Sequence, residues 1–247
     1  MTGMLASVSN PDEAKIALQE NVDILDLKDP AQGTLGAVTT EIAQEVVNLV
    51  SGQSIVSATI GDLPMEATLI GKAISTMAST GVDIIKVGIF DDLTDEVITS
   101  LKEQAIRGAS SRDGKQFMIV IVFFVDKGLD LERMPDLAKA GIRGVMLDTA
   151  DKTKGNLRTH MKDNEIKAFV AQAKSYGLLT GLAGSLKASD IAPLLELEPD
   201  YLGFRGALCQ DNLRTQVIDC SAVRKVRSLL TNANERSIYV NAGIQSL

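Results

Sequence analysis

Short apolar runs alternate with amphipathic stretches from one end of this chain to the other, and the alternation repeats eight times in 247 residues. The runs that read as strands are 3–8 (GMLASV), 22–27 (VDILDL), 54–60 (SIVSATI), 82–88 (VDIIKVG), 117–124 (FMIVIVFF), 142–147 (IRGVML), 177–183 (GLLTGLA) and 200–204 (DYLGF). Helical periodicity fills the intervals at 11–20, 39–50, 64–80, 93–108, 130–140, 164–176, 187–195 and 220–231. Asn10 is placed to cap the first helix, with Pro11 at its first position, and Asp92 or Thr94 to cap the fourth. Strand followed by helix eight times over about 250 residues is the pattern of an α/β chain folded as a single (β/α)8 TIM barrel. The pattern predicts one catalytic domain over 1–247. A doubly wound sheet fits less well, because no GxGxxG follows the first strand and no segment reads as a second domain. The segment 107–115 (RGASSRDGK) reads as an exposed loop before strand five.

Composition narrows the partners. Hydrophobic residues make up 45% of the chain, with no Trp, which suits layered aliphatic packing. The net charge is −7, from 25 basic and 32 acidic residues. No basic tract points to a nucleic-acid partner. An acidic chain that binds an anion must do so locally, with backbone amides and a few placed cations. Two cysteines without a CxxC make a disulfide framework unexpected. The start MTGMLASVSN lacks a basic segment followed by a long apolar one, so no signal peptide is expected. No apolar run approaches about 20 residues, so no membrane association is expected either. The expectation is a soluble cytoplasmic protein. Barrels of this kind often pair through their outer helices, so a homo-oligomer is expected.

Two lysines stand where apolar strands are about to end: Lys28 in VDILDLKDP and Lys86 in VDIIKVGI. A lysine is costly to bury unless it is paired or neutralised. In a barrel the active site forms at the C-terminal ends of the strands. Those ends carry Asp26 and Lys28, then Gly61 and Asp62, Lys86, Asp126 and Lys127, Asp148 with Lys152 beyond it, Gly184 and Ser185, and Arg205 and Gly206. Alternate residues share a face, so Asp26 and Lys28 point the same way, about 7 Å apart along the strand. With both inward, Leu25 and Leu27 face the helices. Lys86 inward leaves Ile85 and Val87 outward, and Asp148 inward leaves Val145 and Leu147 outward.

An ordinary lysine, with pKa about 10.4, is protonated at neutral pH and a poor nucleophile. Desolvation and a neighbouring ammonium both lower its pKa. Lys28 and Lys86 in one barrel mouth could supply both effects to each other. A neutral lysine attacks an aldehyde or ketone to form a Schiff base, and a carboxylate such as Asp26 or Asp148 can orient the amine or shuttle protons. The alternative is an internal network of ion pairs, Lys28–Asp26 and Lys86–Asp148.

Anion binding is the second element. GLAGSL (181–186) ends strand seven and DYLGFRGAL (200–208) ends strand eight. The loops after strands seven and eight form the usual phosphate site of these barrels. Gly184, Ser185 and Gly206 can bring backbone N–H groups to an oxyanion. Arg205 could add a guanidinium, or pair with Asp200 or Asp211. Plain turns would explain the glycines equally simply. The loop KDPAQGTLGA (28–37) is either a wall or lid touching substrate, or a cap on the barrel. His160, the only histidine, lies in a polar stretch expected at the surface. Lys127 and Lys154 are expected to reach solvent, and Cys209 to be a small packed residue. No His/Cys/Asp cluster has metal-ligand spacing, so neither a structural metal nor a cofactor is expected.

The strings VDILDLKDPAQGTLGA, VSATIGDLP, VDIIKVGI, VMLDTADK, GLAGSL and DYLGFRGALC, in this order, resemble the (5-formylfuran-3-yl)methyl phosphate synthase family, also called 4-(hydroxymethyl)-2-furancarboxaldehyde phosphate synthase. The resemblance runs from the first strand to the last. It implies a barrel related to class I aldolases. It also implies a carbon–oxygen lyase acting on phosphates, which joins two molecules of glyceraldehyde 3-phosphate with loss of phosphate and water. The product feeds the furan moiety of methanofuran-type C1 carriers. The resemblance makes Lys28 the Schiff-base lysine, within Asp26–Leu27–Lys28–Asp29–Pro30. It makes Lys86 the proton-accepting lysine, within Lys86–Val87–Gly88. It adds Asp148 and Lys152 after strand six. Strand five, VFFVDKG (122–128), departs from the family pattern, so the resemblance assigns nothing to Asp126 or Lys127. Two other readings stay open: another aldolase-like or phosphosugar-isomerising barrel, and a non-catalytic barrel that binds a phosphorylated metabolite.

Overall fold

The computed structural model describes residues 1–110 and 116–244, with side chains described as far as residue 234. All eight expected strands form: β1 (Gly3–Val8), β2 (Ile24–Leu27), β3 (Ile55–Thr59), β4 (Ile84–Ile89), β5 (Met118–Phe124), β6 (Gly144–Asp148), β7 (Leu179–Leu182) and β8 (Tyr201–Phe204). Each runs parallel to the next, and β1 closes on β8 to complete a barrel. The helices are α1 (Pro11–Gln19), α2 (Thr40–Val50), α3 (Ala67–Ala78), α4 (Asp95–Ser110), α5 (Met134–Lys139), α6 (Leu157–His160), α7 (Asp163–Ser175), α8 (Ile191–Leu195) and α9 (Cys220–Ile244). Among the described residues no helix is long and apolar enough to cross a membrane.

Local chemistry accounts for the element ends. Asn10 accepts a hydrogen bond from the Glu13 amide and Pro11 occupies the first turn of α1. At α4 the cap is Thr94, whose hydroxyl accepts from the Val97 amide. Three expectations change. The buried stripe Val97, Leu101, Gln104 and Gly108 keeps α4 helical to Ser110, so 107–110 are not loop, while 111–115 lie outside the described residues. The helix expected over 187–195 is a 3-10 turn (Ala188–Asp190) leading into the single-turn α8. The short α6 lies in a stretch expected to be irregular, where Asn156 accepts from the Thr159 amide and hydroxyl.

The parity argument holds at every tested position. Leu25, Leu27, Ile85, Val87, Val145 and Leu147 belong to the large apolar cluster between sheet and helices. A second, smaller cluster fills the barrel: Leu5, Ile24, Leu35, Ile84, Val122, Phe124, Met146 and Ala183. The strand starts are fastened by a repeated device. Asp23, Asp83 and Asp200, each just before a strand, accept from the amides of Met4, Val56 and Thr180 on the neighbouring strand. These aspartates pin register at the end of the barrel opposite the lysines.

Beside the paired β8 and β1 lies a buried ion pair between Arg205 and Glu13 of α1 at 2.5 Å. Glu13 also accepts from the Ser9 and Ile218 amides. Arg205 further donates to the carbonyls of Ser7, Arg214 and Gln216. Arg205→Leu would leave the buried Glu13 carboxylate without its counter-charge, at a cost of about 3–5 kcal/mol. Urea unfolding of this variant is expected to show a loss of that size, with part of it recovered in the double variant Glu13→Leu/Arg205→Leu.

Candidate active site

The site begins with register. Ser7, Asp26 and Ser57 are Cα partners across β1, β2 and β3, so three inward polar side chains stand side by side. Asp26 is fully buried and accepts from the Ser7 hydroxyl at 3.0 Å and the Ser57 hydroxyl at 2.6 Å. Lys86 on β4 reaches back to the same carboxylate at 2.7 Å. Burial alone would raise the Asp26 pKa, but the Lys86 and Lys28 ammonium groups and the hydrogen bonds from Lys86 and Ser57 hold it below the usual carboxylate value.

A second pair stands across the mouth. Asp148 at the end of β6 accepts from the Thr149 amide and from Lys152, whose ammonium also bonds the Thr149 carbonyl and hydroxyl. Its pKa is likewise lowered against burial by Lys152 and Lys28. The pairing is therefore Lys86–Asp26 and Lys152–Asp148, not the Lys28–Asp26 and Lys86–Asp148 alternative. The side chain of Lys152 lies nearer Asp148 because it returns from the same loop, four residues on.

This leaves Lys28 between the two pairs. It is 7% exposed, and its amine has no hydrogen bond or ion pair among the described residues. Burial pushes its pKa down from 10.5 to about 8. The neighbouring charges act in opposed directions: Asp148 and Asp26 raise it, Lys86 and Lys152 lower it. A pKa near 8 leaves about a tenth of the amine neutral at pH 7, roughly 300-fold more than at 10.5. The amine opens into a cleft of about 360 Å³, lined also by Asp26, Lys86, Asp148, Lys152 and the ends of β7 and β8.

The loop 28–37 is a cap on one half of the barrel. Leu35 is fully buried inside the barrel with Phe124. A Cβ on Gly88 would sit 2.7 Å from Leu35 and 2.8 Å from Phe90, so only glycine leaves room for this plug. Asp62 holds the loop by accepting from the Thr34 and Leu35 amides, and the Thr34 hydroxyl donates to the Ala150 carbonyl. The open half of the mouth lies toward β6, β7, β8 and β1.

There the chain turns sharply. Gly184 has φ +100° and Ser185 has φ +51°, both left-handed. The amides of Ser185, Gly206 and Ala207 make no hydrogen bond among the described residues and border the cleft. Amides so placed can receive an anion. Arg205 does not join them as expected. All five of its N–H donors are taken by Glu13 and three carbonyls, because the guanidinium turns toward α1 instead of the cleft. Its backbone still borders the cleft.

Sequence reasoning passed over three contributors. Ser7 and Ser57 lie in phase with Leu5 and Ile55 on their strands, so parity could have found them. Arg214, which borders the cleft from the loop after β8, has no such signal because the loop has no period. The remaining candidates lie apart. Asp126 accepts from the Ala150 and Asp151 amides and so shapes the β6 loop. Lys127 and Lys154 are exposed, as expected. His160 is half-buried rather than on the surface, and its Nε2 is buried without a hydrogen bond among the described residues. Cys209 is buried and its thiol pKa is raised by burial. Among the described residues no group of His, Cys, Asp and Glu is arranged to hold a metal ion.

The pKa of Lys28 is directly measurable by competitive acetylation of lysines with acetic anhydride across pH, read peptide by peptide. Lys28 is expected to titrate near 8. Asp148→Asn should move it lower, since that carboxylate favours the ammonium, and Lys152→Met should move it higher.

A family model described as 4-HFC-P synthase matches residues 4–227. A protein of Methylorubrum extorquens, provisionally named a (5-formylfuran-3-yl)methyl phosphate synthase, is 38% identical over 89% of this chain and 88% of its own length. The (5-formylfuran-3-yl)methyl phosphate synthase of Methanococcus aeolicus is 35% identical over 83% of this chain and 89% of its own. Among solved structures, the phosphoribosyl anthranilate isomerase of Thermotoga maritima covers 94% of this chain and 100% of its own, at TM-score 0.67 and 11% identity, a likeness of fold alone. The chain belongs to the (5-formylfuran-3-yl)methyl phosphate synthase family of enzymes.

Proposed function

We propose that this enzyme condenses two molecules of glyceraldehyde 3-phosphate into 4-(hydroxymethyl)-2-furancarboxaldehyde phosphate, with loss of phosphate and water, through a Schiff base on Lys28. The observation that carries the reading is Lys28 itself: a buried amine with no partner among the described residues, with its pKa brought down to about 8, opening into the cleft of a member of this family. Its nitrogen adds to the triose carbonyl, and loss of water leaves C=N where C=O had been. The protonated imine withdraws electrons from the adjacent carbon and makes its C–H acidic. Lys86, an ammonium bonded to Asp26, gives up a proton and, once neutral, takes one back during enolisation and dehydration. Asp148 and Lys152 border the same cleft and assist departure of phosphate. The backbone of Gly184, Ser185, Arg205 and Gly206 holds the phosphate that is kept. In this reading the enzyme supplies the furan of a methanofuran-type C1 carrier.

Borohydride added during turnover of glyceraldehyde 3-phosphate should reduce the imine and leave a covalent adduct on Lys28, located by peptide mass spectrometry. An unmodified Lys28 under turnover would remove the imine mechanism. A near-ultraviolet furan chromophore should appear from triose phosphate alone, which separates this reaction from an ordinary aldol addition or an isomerisation. The reacting form is the neutral amine. The rate of adduct formation at limiting substrate should therefore rise about tenfold per pH unit below about 8 and level off above it. Lys28→Arg should abolish the adduct.

A further inference from the structure

We propose that Arg214 is the binding residue for the phosphate of the second triose phosphate, opposite the backbone amides that hold the first. The inference rests on the condensation proposed above and adds a second anion subsite to it.

Six cations border the cleft. Lys86, Lys152 and Arg205 are each paired with a buried carboxylate: Asp26, Asp148 and Glu13. Lys187 is exposed. Lys28 is the amine with the lowered pKa. Arg214 differs from all of these. Its guanidinium makes one hydrogen bond among the described residues, from Nη2 to the Gly33 carbonyl at 3.0 Å, and no ion pair. Four of its five N–H donors are thus unspent, whereas Arg205 nine residues earlier has spent all five.

Burial disfavours the charge of Arg214, and the acids that favour it, Asp148 and Asp62, act from beyond ion-pair distance. A lysine in this position could shed its proton, but a guanidinium cannot. A half-buried, permanent charge without a counter-ion is costly unless an anion arrives. The planar fork fits a phosphate, two oxygens to two N–H groups.

Its placement is fixed at both ends. The Arg214 carbonyl accepts from Arg205 Nε at 2.8 Å, and its side chain reaches the loop that begins at Lys28. The guanidinium therefore bridges the β8 and β2 loops over the cleft. The cleft, about 360 Å³, lies in the range that holds a drug-sized ligand, which two three-carbon phosphates together match.

Two measurements test the assignment. Crystals soaked in inorganic phosphate should show one ion on the Ser185 and Gly206 amides and a second on Arg214, with the second absent from Arg214→Met. In steady-state assays, Arg214→Met should raise the half-saturating triose phosphate concentration by about 10- to 100-fold, the loss expected for a charge-assisted pair of bonds. Borohydride trapping of one triose phosphate on its Lys28 should stay within about twofold of the unmodified enzyme. Arg214→Lys, which keeps the charge and loses the fork, should fall between. No phosphate at Arg214 in the unmodified enzyme would overturn the proposal. So would unchanged saturation in Arg214→Met, or loss of trapping in step with loss of condensation. If the unmodified enzyme trapped no adduct, the imine reading would fail, and the phosphate soaks would still decide the Arg214 subsite.

Discussion

A carboxylate with no access to water must be satisfied by its neighbours, and the barrel mouth is organised around one such group, Asp26. Three strands serve it: β1 supplies Ser7, β3 supplies Ser57 and β4 supplies Lys86. Because Lys86 and Asp26 neutralise each other, and Lys152 does the same for Asp148, the mouth carries two balanced pairs. Lys28 stands between them as an added charge. Its pKa is set chiefly by desolvation, with the pairs contributing opposed effects of both signs. Mutual repulsion between Lys28 and Lys86 is real but smaller than desolvation, and Asp148 and Asp26 oppose it. Burial does most of what is needed to make Lys28 a nucleophile.

The loops decide where a substrate can stand. Leu35 fills the mouth on the side of β4 and β5, in space that Gly88 leaves free. Asp62, Thr34 and Arg214 tie that plug to the loops after β3, β6 and β8. The cleft is left on the side where β7 and β8 end, so Lys28 faces the left-handed turn at Gly184 and Ser185. Arg205 and Arg214, nine residues apart, divide two tasks. One guanidinium is buried against Glu13 in the scaffold, and the other overlooks the cleft.

Much of this was legible in the chain. The strands fall within two residues of their expected ends, because a parallel barrel strand is an apolar run bounded by turn residues. The inward face of Asp26, Lys28, Lys86 and Asp148 followed from parity, because a strand has a period of two and leucines prefer the helix layer. What failed to show was partnership. Lys86 chose Asp26 over Asp148, and Arg205 chose Glu13 over Asp200 or Asp211, through distances set by shear and loop path. His160 looked superficial because its stretch is polar, yet the fold buries its Nε2.

By itself, then, the sequence determined the barrel, the number and order of its strands, and which residues stand at the mouth, since these depend on local periodicity and on turn chemistry. Only the tertiary structure decided which charges neutralise one another. It left Lys28 desolvated and, among the described residues, unpaired, sent Arg205 into the scaffold, and put Arg214 over the cleft. Most of those outcomes depend on groups far apart in sequence, 192 residues for Arg205 and Glu13, meeting in a low-dielectric space, and no local pattern encodes such a meeting.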